Sequence, residues 1–203
     1  EKLQPYLYPR SFPCMRQSSE ITERFEQTGS KRTILFRNGV DFNRFEQTRD
    51  IVQKQPSDKL RIVYAGLLGM AQGVKDICHK IDFASLGAEL HIYGEGSERN
   101  EIQEFIKKNP QRGVVLHKSV TREAIPATMM QYDITLIPLV TPIYGAIPSK
   151  IYEAMAAGLP IIFSGGGEGE QIINEHNTGW TCTPADYTDI SARIKEVVNM
   201  DKE

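Results

Sequence analysis

The sequence predicts an α/β fold, a parallel sheet with helices packed on both faces. Three observations predict it. From Leu60 onward, short apolar runs alternate with amphipathic stretches, the order that builds parallel sheets through crossover helices. The apolar runs, LRIVYAG and DITLIPL among them, are nearly continuous rather than alternating, as in strands buried on both sides. Glycine-bearing loops follow several of these runs, where such sheets bind their ligands. This is a doubly wound, Rossmann-like arrangement.

The first forty-odd residues read differently. EKLQPYLYPRSFPCMRQSSE holds three prolines and has no clear period. SEITERFEQTG reads as a short helix, with Ser19 or Thr22 as its cap and Gly29 at its end. RTILFRNGVD is a strand-like run closed by Asn38-Gly39, a strong turn signal. QTRDIVQKQPSDK suits a surface helix and linker.

The alternation then begins with the strand LRIVYAG, a glycine loop and the helix VKDICHKIDFASLG. AELHIYGEG is a second strand, followed by a helix in SERNEIQEFIKKN with Ile102, Phe105 and Ile106 on one face and Ser97 as its expected cap. GVVLHKS is a third strand, TREAIPATMMQY a short helix near Pro126, and DITLIPL a fourth strand. Next comes IPSKIYEAMAAG, a helix with Pro148 in its first turn and Gly158 at its end. PIIFSGG is a fifth strand, GEGEQIINEHN a helix and GWTCTP a sixth strand. The last helix places Ile190, Ile194, Val197 and Val198 on one face, with Asp186 as N-cap.

Composition excludes several classes. A net charge of −2 and a pI of about 6.2 give no basic excess for nucleic acid. No apolar run reaches the roughly 18 residues that span a bilayer, and no signal-peptide pattern opens the chain. Cys14, Cys78 and Cys182 are far apart and form no CxxC pair, so buried, reduced thiols in a cytosolic protein are expected. The four histidines show no HxH or HExxH spacing, and no metal is expected. His79 reads as a helix-surface residue and His91 as packed in a strand.

One local oddity points to chemistry. Lys150 stands near a helix N-terminus, where the macrodipole disfavours a cation by roughly 0.3–1 kcal/mol. Glu153 lies three residues on, on the same face. The two could form a local ion pair; alternatively, a bound phosphate would make the lysine favourable and leave the carboxylate for sugar hydroxyls. Gly66, Gly69 and Gly73 lie between a strand and a helix, where backbone N–H groups can approach an anion, although GxxxxGK[ST] is absent. A flexible turn explains them equally well. Gly94-x-Gly96 is an incomplete dinucleotide fingerprint, with Arg99 at the third glycine, and reads first as a tight turn. Gly165, Gly166 and Gly167, with Glu168 and Glu170 beyond, form another loop open to a ligand or to solvent.

NGVDFNRF, YAGLLGMAQGV, HIYGEGSER, DITLIPL and PSKIYEAMAAGLPIIFSGGGEGEQII occur in this order. Together they resemble the C-terminal half of a retaining, family-four glycosyltransferase of two-domain GT-B architecture. The PSKIYEAMAAG form is similar to bacterial N-acetyl-fucosamine transferases of surface-polysaccharide synthesis, the group that serves capsule and lipopolysaccharide. The resemblance runs from Asn38 to the end. It implies that residues 1–45 are the remnant of an N-terminal domain and linker, and that residues 46–203 bind a nucleotide sugar.

The resemblance also implies roles. Glu153 matches the second of a paired-glutamate motif that holds ribose hydroxyls. Pro148, Ser149 and Lys150 match the helix start beside the donor diphosphate, and Lys150 is the candidate for leaving-group stabilisation. Gly66, Gly69 and Gly73 match a phosphate-facing loop, with Gln72 where the family has a lysine and Leu67 where it has an arginine. Gly94 belongs to the candidate site. His117 and Lys118 would lie near the base, and Gly166 and Glu170 near the donor. The first glutamate of the pair would fall at Gly145, where no carboxylate stands.

The implied activity transfers a sugar, hexosyl or N-acetylhexosaminyl, from a nucleoside-diphosphate sugar, UDP above all, to a glycan or lipid-linked acceptor. No cofactor is required. The acceptor-binding N-terminal domain is largely absent from this sequence, so the fragment alone is expected to be inactive. A cytoplasmic location with peripheral association at the inner membrane face is expected of the parent. The alternatives are a nucleotide-sugar epimerase of the same architecture and a non-catalytic nucleotide-sugar-binding module.

Overall fold

The computed structural model describes residues 3–200. Its centre is a six-stranded, wholly parallel sheet built from β3 (Leu60–Ala65), β4 (Ala88–Tyr93), β5 (Val114–His117), β6 (Ile134–Pro138), β7 (Ile161–Ser164) and β8 (Gly179–Cys182). The strand order is β5-β4-β3-β6-β7-β8. Counted from one within this sheet that is 3-2-1-4-5-6, the doubly wound order whose switch point lies between its first and fourth strands, here β3 and β6. Ahead of the sheet, β1 (Cys14–Arg16) and β2 (Thr33–Leu35) pair in parallel as a separate ribbon. They flank α2 (Thr22–Gln27), and α1 (Gln4–Leu7) precedes them.

The helices divide between the faces by the alternation of strand side chains. On one face Ile62, Leu90, Ile134 and Ile162 pack against α4 (Val74–Lys80), α5 (Arg99–Lys108) and α9 (Tyr187–Met200), through Ile77, Ile102 and Ile194. On the other, Val63, Ile137, Ile161 and Phe163 meet α3 (Phe42–Arg49), α6 (Ile125–Met129), α7 (Ser149–Ala157) and α8 (Gly167–Glu175). Ile62, Val63, Leu90, Ile151, Ile161 and Ile194 are fully buried. Apolar burial of this kind stabilises by roughly 1.5–3 kcal/mol per large side chain. Among the described residues, all three cysteines are buried and free.

Most expected elements form, but the helix expected within 47–59 lies earlier, as α3 (Phe42–Arg49), and the one expected from Val74 ends at Lys80. Asp186 caps α9, its Oδ1 accepting from Thr188 N and Asp189 N, each at 3.0 Å. The helical segment after β1 is capped not by Ser19 or Thr22 but by Ser18, whose Oγ accepts from Glu20 N at 3.1 Å. Thr22 instead turns its hydroxyl back to Ser19 O. Ser97 does not cap α5: the chain enters that helix at Glu98, without a side-chain cap. The cause is the preceding loop, which Glu98 N ties to Leu68 O at 3.1 Å, leaving Ser97 exposed. Pro148 occupies the N-cap of α7 rather than its first turn.

The β3–α4 and β4–α5 loops extend the sheet past its strand ends. Gly66 N donates to Tyr93 O and Leu68 N to Glu95 O, both at 2.8 Å. Backbones this close leave no room for side chains: a Cβ at Gly94 would overlap the Gly66 carbonyl oxygen, and one at Gly96 the Leu68 backbone. The Gly94-x-Gly96 pattern thus serves the packing of loop on loop. Arg99, which breaks the dinucleotide fingerprint, donates to Gly94 O at 2.6 Å and to His117 O at 3.0 Å, fastening the ends of β4 and β5 together.

Candidate functional site

A cleft of about 680 Å³ opens at the carboxyl ends of β3 and β6. It lies at the switch point, where neighbouring loops diverge to opposite faces of the sheet. Its size is that of ordinary small-molecule sites, ~300–1,000 Å³. The β3–α4 loop contributes Gly66, Leu67 and Gln72; the β4 end contributes Tyr93, Gly94 and Glu95. The loop after β5 brings Ser119, Val120 and Arg122, and the opposite wall is the Ile143–Pro148 stretch and the start of α7.

Lys150 is the cationic centre of this cleft. Its Nζ lies 5.2 Å from the centroid of the Tyr64 ring, within cation–π range. Its last atoms cover Gly66 so closely that a Cβ there would collide with Cε and Nζ. Tyr64 in turn donates its hydroxyl to Leu67 O at 2.5 Å, fixing the glycine loop; burial and the nearby Glu98 carboxylate push its phenol upward, so it stays neutral. Burial lowers the Lys150 pKa, and the Glu153 carboxylate opposes that shift. Lys150 and Glu153 do not close to an ion pair, and neither side chain carries a hydrogen bond among the described residues. The local-pair expectation therefore fails, because the lysine reaches inward over Tyr64. A half-buried ammonium without a counter-ion, facing a cleft at a helix start, is arranged to meet an anion.

The structure brings Gly66, Gln72, Gly94, Pro148, Ser149, Lys150 and Glu153 into one cleft. Gln72 Oε1 is buried there without a hydrogen-bond partner. Gly69, Gly73, His117, Lys118, Gly166 and Glu170 do not line it. Gly73 instead caps α4 beneath Val140. The His117 ring stacks on Tyr93 at 4.3 Å, and its Nε2 lies 3.0 Å from His91 Nδ1. Burial lowers both histidines, His91 to about 4. With its carbonyl held by Arg99 as well, His117 is part of the packing. Arg122, Ser119, Tyr64 and Tyr93 belong to no motif in the sequence; they line the cleft because they stand at or just beyond strand ends.

The Gly165–Glu170 stretch is also occupied from within the chain. Glu168 is 4% exposed. It accepts from Ser18 Oγ at 2.5 Å, Ser19 N at 2.7 Å and Arg37 at 2.6 Å. Burial alone would raise this carboxyl, but the serine hydrogen bonds and the guanidinium outweigh it and hold it below its ordinary 4.5. A carboxylate depressed on folding gives stability that is fully present above its unfolded value and is lost as pH falls through the folded one. Glu168→Gln should therefore lower stability above about pH 4.5 and flatten the acid limb of the stability curve, as urea titrations between pH 3 and 7 would measure; parallel curves would contradict this. Among the described residues, no histidines, cysteines or carboxylates gather in a group of three or more able to hold a metal ion, and no helix is long and apolar enough to cross a membrane.

Comparison with known proteins agrees with this geometry. The glycogen synthase of Mycobacterium tuberculosis is 27% identical over 187 residues, covering 90% of this chain and 43% of its own length. The putative colanic acid biosynthesis glycosyltransferase WcaL of Salmonella typhimurium is 22% identical over 178 residues, covering 84% of this chain and 43% of its own. The chain thus spans less than half the length of these relatives. Anabaena Alr3699/HepE, solved in complex with UDP and glucose, superposes with a TM-score of 0.75 at 18% identity over 99% of this chain and 57% of that one. The model of the family described as glycosyl transferases group 1 matches residues 59–200, so the chain belongs to that glycosyltransferase family and carries the C-terminal domain of its GT-B fold.

Proposed function

We propose that this chain is the donor-binding half of a glycosyltransferase that takes a sugar from a nucleoside-diphosphate sugar, with UDP as the nucleotide, and passes it to a glycan or lipid-linked acceptor. One observation carries the reading: the inward-turned, unpaired Lys150 ammonium at the start of α7, with Glu153 one turn on, in a cleft at the sheet's switch point. A diphosphate would lie against Lys150 and the helix start, which together stabilise the charge that grows on a leaving diphosphate. Glu153 would accept from the ribose hydroxyls. The base would reach the Tyr93, Ser119, Val120 and Arg122 side of the cleft.

Two named neighbours support the finer reading. HepE was solved with UDP and glucose, and WcaL is named for colanic acid biosynthesis, which favours a role in surface polysaccharide. An acceptor-binding domain ahead of residue 46, retention of configuration, and work at the inner face of the cytoplasmic membrane are proposed for the whole protein.

Titration calorimetry with uridine, UDP and UDP-sugars tests this reading. Glu153→Ala is expected to weaken uridine and UDP alike, by roughly one to two orders of magnitude, since hydrogen bonds to a charged group contribute ~1.5–3 kcal/mol. A variant that binds both as well as the parent would remove the ribose assignment.

A further inference from the structure

We infer that Glu20 is a positioning residue for the wall of this cleft, acting from the segment ahead of the sheet. The inference rests on the reading of the cleft as a donor site. The Glu20 carboxylate bridges two backbone donors: Oε2 accepts from Gly145 N at 2.9 Å and Oε1 from Glu168 N at 3.1 Å. Glu168 returns the favour, its own carboxylate accepting from Ser18 Oγ and Ser19 N at the start of the opposing helical turn. Each carboxylate thus satisfies the open N–H groups at the other's helix start, where negative charge is favoured. Arg37 closes the clasp on Glu168.

The wall has few other anchors. Among the described residues, the hydrogen bonds that reach residues 141–147 from outside that stretch are Gly145 N to Glu20 Oε2 and Tyr144 Oη to Glu20 O, the latter at 2.7 Å. Both end on Glu20. Ile21 adds a steric element. Gly145 has φ +74°, and a Cβ there would run into Ile21 Cγ2. No side chain, acidic or otherwise, fits at residue 145 in this arrangement, and the carboxylate at that point comes from Glu20 instead. Ile143, Ala146 and Ile147 of the same stretch line the cleft, and it leads into the helix start that carries Lys150. Loosening the clasp frees that lead-in without touching a cleft residue.

The test uses the chain with Glu20→Gln, in which the amide can accept one of the two N–H bonds but not both. Amide hydrogen exchange and UDP titration are read together. The expected result is exchange about tenfold faster at Gly145, Glu168 and the Ser149–Lys150 start of α7, with protection in β3, β4 and β6 unchanged and UDP affinity reduced about three- to tenfold. Tyr144→Phe, which removes only the tyrosine bond, should move the same amides less. Lys150→Ala should weaken UDP binding by one to two orders of magnitude and leave exchange at Gly145 as it was. Unchanged exchange over residues 143–150 would overturn the inference, as would faster exchange throughout the protein or faster local exchange with unaltered UDP affinity. If UDP binds neither parent nor variant, the donor reading fails and with it the positioning role, and local exchange alone then identifies a structural clasp.

Discussion

Lys150→Ala is expected to weaken UDP binding by one to two orders of magnitude while uridine binding changes less than about threefold. The asymmetry follows from what the side chain touches. Lys150 lies over Gly66 and the Tyr64 ring and pairs with no carboxylate, so its positive charge has no anionic partner until a ligand supplies one. Charge-assisted hydrogen bonds of this kind contribute ~1.5–3 kcal/mol, and each ~1.4 kcal/mol is tenfold in affinity. A nucleoside offers no phosphate and loses nothing. Removing a half-buried cation with no anionic partner also relieves a desolvation cost, which offsets the lost contact with Tyr64, so the variant should be about as stable as the parent. Calorimetry with the two ligands, beside a thermal melt, measures all of this; equal losses for uridine and UDP would place the lysine elsewhere in the mechanism.

Gly94→Ala should be the most damaging single-methyl change in the cleft. The added Cβ would overlap the Gly66 carbonyl oxygen and sit 3.1 Å from Gly66 C and 3.3 Å from the Leu68 side chain. Backbone cannot rotate away as a side chain does, and overpacking costs ~1–3 kcal/mol, occasionally more. A loss of about 3 kcal/mol corresponds to a fall in Tm of roughly 6–12 °C for a chain of this size. Because Gly66 lies under Lys150, UDP affinity should fall as well. Gly39→Ala is the control, since nothing lies within 4 Å of a Cβ there. A Gly94→Ala protein as stable as that control would show that the two loops are not held backbone to backbone.

Most of the fold was legible because its signal is local. The apolar runs at Leu60 and Ile134 are strands for the reason that predicted them, burial on two faces. Helix starts were less legible where a distant contact sets them. Ser97 fails as a cap because Leu68, far earlier in the chain, holds Glu98 N. The same contrast runs through the site. Gly66, Lys150 and Glu153 could be found because a strand end and a helix start are readable from neighbouring residues. His117 and Lys118 were expected in the cleft and stand outside it, since Arg99 holds the His117 carbonyl and Tyr93 stacks on its ring; the chain turns into the cleft only at Ser119. Glu20 had no readable signal, as its partner Gly145 lies 125 residues away.

The central claim is that the cleft over β3 and β6 holds a nucleoside diphosphate with its phosphates on Lys150. A crystal structure of the chain soaked with UDP tests it most directly. The account predicts phosphate oxygens at about 2.7–3.2 Å from Lys150 Nζ, ribose hydroxyls on Glu153, and the base between Tyr93 and Arg122. The molecule offers a rival of similar size, a groove of about 640 Å³ at Met155, Pro160, Asn177 and Trp180, at the amino ends of β7 and β8. UDP seated in that groove, with the Lys150 cleft unchanged, would contradict the account.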